Sequence, residues 1–203
     1  MLGDVIRRLL GSFVPDRASP QPEHHLVGQL PVVMLNSRPD IRSAEALARL
    51  TEAFALVERY APIRFRHLQR DLNGILVQRF ACRAAFFPEQ RTCLIELTFL
   101  INPAHTAEEV AASLVHEGMH ARVAAARARV TPGMKAKEER LCRRAELELG
   151  RAMPRGRTVV ERAEASLTLK DEEVAPSVDW TLAERRVAEA DRAASRIRPG
   201  RGQ

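Results

Sequence analysis

The feature that most constrains the fold is a long helix-forming run over residues 106–130. Its first residues, Thr106-Ala-Glu-Glu109, are typical of a helix N-terminus, because the threonine hydroxyl can accept from first-turn amides while the glutamate three residues later reaches back. The sequence Thr131-Pro-Gly133 then breaks the helix. We therefore expect one long helix around which the rest of the chain must pack.

This run contains the sequence Val115-His116-Glu117-Gly118-Met119-His120, which follows the pattern HExxH. Two histidines four residues apart lie on one helix face about one turn apart, so both imidazoles can reach one zinc ion at ~2.0–2.1 Å. Zinc lowers the pKa of a bound water from about 15.7 toward about 7, and the glutamate between the histidines can take its proton. We expect Zn2+ as the cofactor, with His116 and His120 as ligands and Glu117 as the general base. The alternative is a pair of ordinary core or surface histidines without metal.

A catalytic zinc site needs a third protein ligand and keeps its fourth position for water. No histidine follows His120, so an acidic residue on the next helix, predicted over residues 135–153, is the natural candidate. Glu138 points along the centre of the apolar stripe of that helix, whereas Glu139 and Glu146 lie on one flank, as the two histidines do on their own helix. We choose Glu139 as the third ligand, with Glu138 as the alternative and Glu146 as the partner of a histidine Nδ1. For each glutamate, a solvated helix charge is the competing interpretation.

The rest of the sequence predicts an α+β fold. Short apolar or alternating runs indicate strands over residues 30–35, 63–67, 74–80, 84–87 and 94–100, which would form a small, mostly antiparallel sheet. Helical spacing predicts further helices over 43–60, 158–170 and 178–195.

Three segments follow from this pattern. Residues 1–27 are expected to form an amphipathic N-terminal helix and a Pro-rich linker, and residues 28–154 the main α+β domain. Residues 155–203 are expected to form a C-terminal helical extension.

The charge pattern argues against a nucleic acid as the main partner. The net charge is +6 and comes almost entirely from arginine, but the arginines are scattered and interleaved with glutamate. Aromatic residues make up only 4% of the chain, so no stacking platform for single strands is visible. An Arg-rich nucleic-acid binder with an accidental HExxH pattern is the less favoured alternative.

Other sequence features argue against a membrane-spanning or secreted protein and against two kinds of cysteine site. No apolar stretch approaches the ~20 residues that a transmembrane helix needs, and the N-terminus lacks the signature of a secretory signal, so we expect a cytoplasmic protein. Cys82, Cys93 and Cys142 fall in no CxxC pattern, which excludes zinc-ribbon and thioredoxin-like sites.

A strand followed by an HExxH helix and then a glutamate-bearing helix resembles the gluzincin branch of the zincin metallopeptidases. It is also similar to minimal bacterial HExxH proteins whose glutamate helix carries Glu-x-x-Cys, here Glu139-Arg-Leu-Cys142. The resemblance covers about residues 92–154. It implies a zincin-like domain that hydrolyses a peptide or protein substrate, with Glu117 also protonating the leaving amine.

The chain departs from this family at two points. Arg143 stands where thermolysin-like relatives have an aspartate, and no tyrosine or histidine follows the glutamate helix to stabilise the oxyanion. Arg143, Arg144 or His105 could fill that electrostatic role. A non-catalytic metal-binding or interaction protein of the same fold is therefore the alternative function. The resemblance also suggests that the strand over 92–101 binds substrate at a sheet edge, unless this strand is internal.

Overall fold

The structure is a computed structural model, and it describes residues 20–126, 132–175 and 179–196. In chain order its elements are β1 (Glu23–Val27), β2 (Leu30–Leu35), α1 (Ser43–Tyr60), α2 (Pro62–Asp71), β3 (Gly74–Gln78), β4 (Ala84–Phe87), β5 (Thr92–Glu96), α3 (Leu97–Ile101), α4 (Ala107–Ala125), α5 (Pro132–Ala152), α6 (Arg157–Leu167), α7 (Asp171–Val174) and α8 (Trp180–Arg196). The expected N-terminal helix lies outside the described residues.

The α+β class holds, but the sheet is mixed rather than mostly antiparallel. Its five strands run in the order β1-β2-β3-β5-β4. The β2–β3 and β3–β5 pairs are parallel, whereas β1–β2 and β4–β5 are antiparallel. The parallel pairs arise because α1 and α2 carry the chain back between β2 and β3, and because β4 lies outside β5 instead of between β3 and β5.

Strand order corrects the expectation of a substrate-binding edge at residues 92–101. β5 lies between β3 and β4, and all five of its residues are buried. The edge strands of the described sheet are β1 and β4, and the one beside β5 is β4, whose four residues are all partly buried. Sequence pattern does not encode this order, because it depends on long-range pairing.

Three segments differ locally from the predicted elements. Residues 63–67 belong to the helix α2, which begins at Pro62, a residue that suits the first helical turn because its missing amide would be unpaired there anyway. The strand expected over 94–100 stops at Glu96, whose side chain accepts a hydrogen bond from the Phe99 amide and caps α3. Residues Glu23–Val27, expected within the linker, form β1.

The helix α4 lies at the centre of the molecule. It packs against α1, α2 and α5 and also contacts β4 and β5. The close approach of α4 to α2 depends on Gly118, because a Cβ at this position would lie 2.4 Å from Leu68 Cδ2. A residue inside the HExxH motif therefore determines how closely α4 packs against α2. Within the described parts of the chain, no helix is long and apolar enough to cross a membrane.

Candidate metal centre

The helix α4 begins as the sequence predicts. The Thr106 hydroxyl accepts a hydrogen bond from the Glu109 amide at 3.3 Å, and Glu109 Oε2 accepts one from the Thr106 amide at 3.1 Å. This reciprocal pair satisfies two backbone donors that the first turn leaves without helical partners. It fixes the start of the helix ten residues before His116.

The two histidines of the motif converge on a common point. The Nε2 atoms of His116 and His120 are 3.2 Å apart, and the ring centroids are separated by 5.0 Å. His116 is buried, and His120 is partly buried. Two imidazole nitrogens at this distance, each able to offer a lone pair, form one half of a possible metal site.

The helix α5 brings Glu139 to the same point. Glu139 Oε2 lies 3.3 Å from His116 Nε2, and Glu139 Oε1 lies 3.5 Å from His120 Nε2. Zinc bonds of ~2.0–2.1 Å in tetrahedral geometry separate neighbouring ligand atoms by about 3.3–3.4 Å. The spacing of these three side chains therefore fits a zinc ion at their centre.

Two further glutamates of α5 hold the outer nitrogens of the imidazoles. Glu146 Oε1 lies 2.5 Å from His116 Nδ1, and Glu138 Oε1 lies 2.7 Å from His120 Nδ1. A carboxylate on Nδ1 fixes the ring and leaves Nε2 directed at the metal position. Glu138, the alternative third ligand, thus contacts the far side of its histidine.

The buried Glu146 is also the partner of two arginines. Its side chain is only 1% exposed, and it accepts hydrogen bonds from Arg143 Nη1 at 2.7 Å and from Arg162 Nη2 at 3.2 Å. Burial acts to raise the pKa of Glu146, but the hydrogen bond to His116 and the nearby charges outweigh burial and lower it. Glu146 therefore remains a carboxylate, which a histidine orientation role requires.

Burial and neighbouring charges also determine the protonation of His116 and Glu139. Burial acts to lower the pKa of His116, but hydrogen bonds to Glu139 and Glu146 outweigh it and raise the value to about 9. Burial acts to raise the pKa of Glu139, yet its contact with His116 leaves it below the usual value. In the protein without metal, His116 is thus a cation held between two carboxylates.

Glu117 stands in a different environment. Its residue is 7% exposed, and burial raises its pKa despite the opposing effect of the two histidines. It lines an open cavity of about 320 Å³ together with His116. A carboxylate with a raised pKa beside a possible metal site is suited to accept and return a proton.

A second donor set, formed by His116, His120 and Cys142, also brings its ligand atoms within 4.8 Å of one another. We favour Glu139 over Cys142 because the Glu139 oxygens lie 3.3 and 3.5 Å from the two Nε2 atoms, which is the spacing of neighbouring ligands in a tetrahedral zinc site. Burial and the surrounding carboxylates, Glu139 first among them, also raise the pKa of the Cys142 thiol, which disfavours the thiolate that a metal needs.

The three candidates for oxyanion stabilisation lie in different places. Arg143 lines the cavity beside Glu117, whereas Arg144 is exposed and is not part of the cavity lining. His105 contacts Glu109 at 3.3 Å and packs against the Phe99 ring. Of the three, Arg143 has the best position.

Sequence reasoning missed two contributors to this region. Arg83, which precedes the edge strand β4, and Arg162, from the helix α6, both line the cavity. Nothing in the sequence distinguishes these arginines from the many others that are solvated. No family model, curated protein or solved structure matches the chain.

Proposed function

We propose that the protein is a zinc-dependent metallopeptidase that hydrolyses a peptide or protein bond. The observation that carries this proposal is the convergence of the His116, His120 and Glu139 ligand atoms within 3.5 Å of one another, beside a cavity lined by Glu117. This donor set of two imidazoles and one carboxylate matches catalytic zinc sites, which use three protein ligands.

His116 Nε2, His120 Nε2 and the Glu139 carboxylate would hold the ion. Bound zinc supplies Lewis-acid chemistry, because it acidifies water and polarises the carbonyl that is attacked. Glu138 and Glu146 accept hydrogen bonds from the Nδ1–H groups of the two imidazoles, which directs the Nε2 atoms at the proposed ion. These two glutamates are positioning residues.

Glu117 accepts the proton of the attacking water and delivers it to the leaving amine. Its burial favours this role, because burial disfavours the charged carboxylate and so raises the pKa of Glu117 and its affinity for a proton. Its position on the cavity wall, one residue from His116, places the carboxylate where a substrate can approach.

The edge strand β4 supports a peptide as the substrate. β4 pairs with β5 on one side and is the last strand of the described sheet, so its other side can accept an extended chain by β-pairing. Its first residue, Ala84, lines the same cavity as Glu117. A peptide lying along β4 would therefore pass the proposed catalytic centre.

The direct test replaces Glu117 with Gln in the zinc-loaded protein and measures cleavage of a diverse peptide pool by mass spectrometry. We expect zinc to remain bound and cleavage to fall at least ~100-fold, because a neutral amide cannot accept the proton. The matched control is Glu58→Gln, since Glu58 is exposed and lies on α1.

Full activity in Glu117→Gln would refute the mechanism. A wild-type protein that binds zinc tightly but cleaves nothing in the pool would instead favour the non-catalytic binding protein. Absence of zinc affinity, combined with salt-dependent binding to DNA or RNA, would favour the nucleic-acid alternative.

A further inference from the structure

The cavity beside Glu117 is unusual in the charge of its walls. Three of its eight lining residues are arginines, Arg83, Arg143 and Arg162, and they come from three elements of the fold: the segment before β4, the helix α5 and the helix α6. Guanidinium groups repel one another, so convergence from three elements requires negative charge to hold them together.

Two buried carboxylates supply part of that charge, and each is shared by two arginines. Glu146 accepts from Arg143 and Arg162, while Glu109 Oε1 lies 3.5 Å from Arg162 Nη1 and 3.9 Å from Arg83 Nη1. The cluster is thus a chain of three arginines linked by two glutamates. These five side chains together carry a net charge of +1, and Glu117 lies on the same cavity wall.

The arginines also have unused hydrogen-bond donors. Among the described residues, Arg143 Nε and Arg162 Nε are buried and have no hydrogen-bond partner. Buried N–H groups are almost always paired, and leaving one unpaired is unfavourable by roughly 1–3 kcal/mol. Both arginines also line the cavity and keep part of their side chains exposed, so an acceptor that enters the cavity can bind their guanidinium groups.

We propose that this cavity binds a carboxylate of the peptide substrate through Arg83, Arg143 and Arg162. That the bound carboxylate belongs to a substrate rests on the proposed peptidase function. The carboxylate site itself does not depend on catalysis. The carboxylate comes from an aspartate or glutamate side chain or from the C-terminus of the peptide. Each matches a guanidinium fork in geometry and in charge.

Arg83 is the residue through which to test the site. Its side chain is 49% exposed, and its described contacts are the distant Glu109 and the Phe99 ring. Replacing Arg83 therefore leaves the hydrogen bond between Glu146 and His116 in place, which replacing Arg143 or Arg162 would not. Arg144→Gln is the matched control, because Arg144 is exposed and does not line the cavity.

The first experiment measures binding to the zinc-free protein, so that a metal cannot attract the carboxylate. Three isosteric probes separate the sources: acetyl-Glu-amide has only a side-chain carboxylate, acetyl-Gln has only a terminal one, and acetyl-Gln-amide has neither. We expect one of the first two to bind at least ~10-fold more tightly than the neutral probe. Arg83→Gln should reduce this preference about 5-fold, Arg83→Lys should restore part of it, and Arg144→Gln should leave it unchanged.

Equal binding of all three probes, or a preference that Arg83→Gln does not alter, would overturn the proposal. The second experiment asks whether the zinc-loaded protein cleaves a random peptide pool next to acidic residues or near free C-termini. Cleavage without either preference, together with equal probe binding, rejects the carboxylate site and leaves the peptidase. Selective probe binding without any cleavage keeps the site and rejects the peptidase.

Discussion

The protonation of His116 predicts a steep dependence of zinc affinity on pH. In the metal-free protein, His116 donates from both ring nitrogens, to Glu146 Oε1 at 2.5 Å and toward Glu139 Oε2 at 3.3 Å, and its pKa is raised to about 9. A proton on Nε2 and a zinc ion compete for the same lone pair. Raising the pH removes the proton, so zinc affinity must rise as the pH approaches 9.

The magnitude follows from the fraction of His116 that is deprotonated. With a pKa of about 9, competition weakens zinc binding about 100-fold at pH 7 and about 2-fold at pH 9, so affinity should rise about 50-fold between these values. A histidine with the ordinary pKa of 6.5 would give a rise of only about 1.3-fold over the same range. The predicted rise in zinc affinity therefore differs by more than an order of magnitude between the two pKa values.

The assay is a competition titration against a chelator of known pH dependence, combined with calorimetry in buffers that differ in ionisation heat. At pH 7 each zinc ion should displace about one proton from His116, against about 0.2 for an ordinary histidine. Glu146→Gln is the informative variant, because it keeps the shape of the Nδ1 partner but removes its charge. The metal's own solvent chemistry is common to both proteins, so the difference between them isolates His116.

A flat profile in the wild-type protein, with affinity changing less than about 3-fold from pH 7 to 9, would refute this reasoning. So would a Glu146→Gln profile as steep as that of the wild type. Either result would mean that Glu139 and Glu146 do not hold a proton on His116 in the metal-free state.

Two further outcomes test the site and its scaffold. Glu139→Ala should weaken zinc binding by more than the ~10–100-fold expected for Glu138→Ala, because the first change removes the proposed third ligand and the second removes only an orienting contact to His120. Equal losses of zinc affinity in a competition assay would reassign the third ligand. Gly118→Ala should lower the free energy of unfolding by about 1–3 kcal/mol in urea denaturation, because the new Cβ would lie 2.4 Å from Leu68 Cδ2. An unchanged free energy of unfolding would show that the packing of α2 against α4 adjusts to the added methyl group.

Local signals in the sequence predicted the helices of the site well. The capping box of Thr106 and Glu109 is present, and the helices predicted over 43–60 and 135–153 are observed with small shifts at their ends. The flank argument for Glu139 relied only on the 100° turn per residue, and the structure brings this residue to both histidines. Such features depend on contacts between near neighbours in the sequence.

Features that depend on contacts between distant parts of the chain could not be predicted from local sequence patterns. The alternation of Ile63, Phe65 and His67 indicated a strand, but Pro62 starts a helix there and Ile63 is 59% exposed. The edge position of β4 depends on which strands pair, and the parallel pairs depend on the path of the connecting helices. No periodicity marks Arg162 as the arginine that reaches a buried carboxylate 16 residues earlier in the chain.

The charge of the side chains around the two histidines gives a further reason to expect a divalent cation. Four glutamates surround the pair: Glu117, Glu138, Glu139 and Glu146. The arginines hydrogen-bonded to this set, Arg143 and Arg162, both contact Glu146. If all four carboxylates are ionised and both imidazoles are neutral, two negative charges remain, and uncompensated charge in a partly buried region is unfavourable. A proton on His116 cancels one of them, which agrees with its raised pKa, whereas a bound divalent cation would cancel both and release that proton.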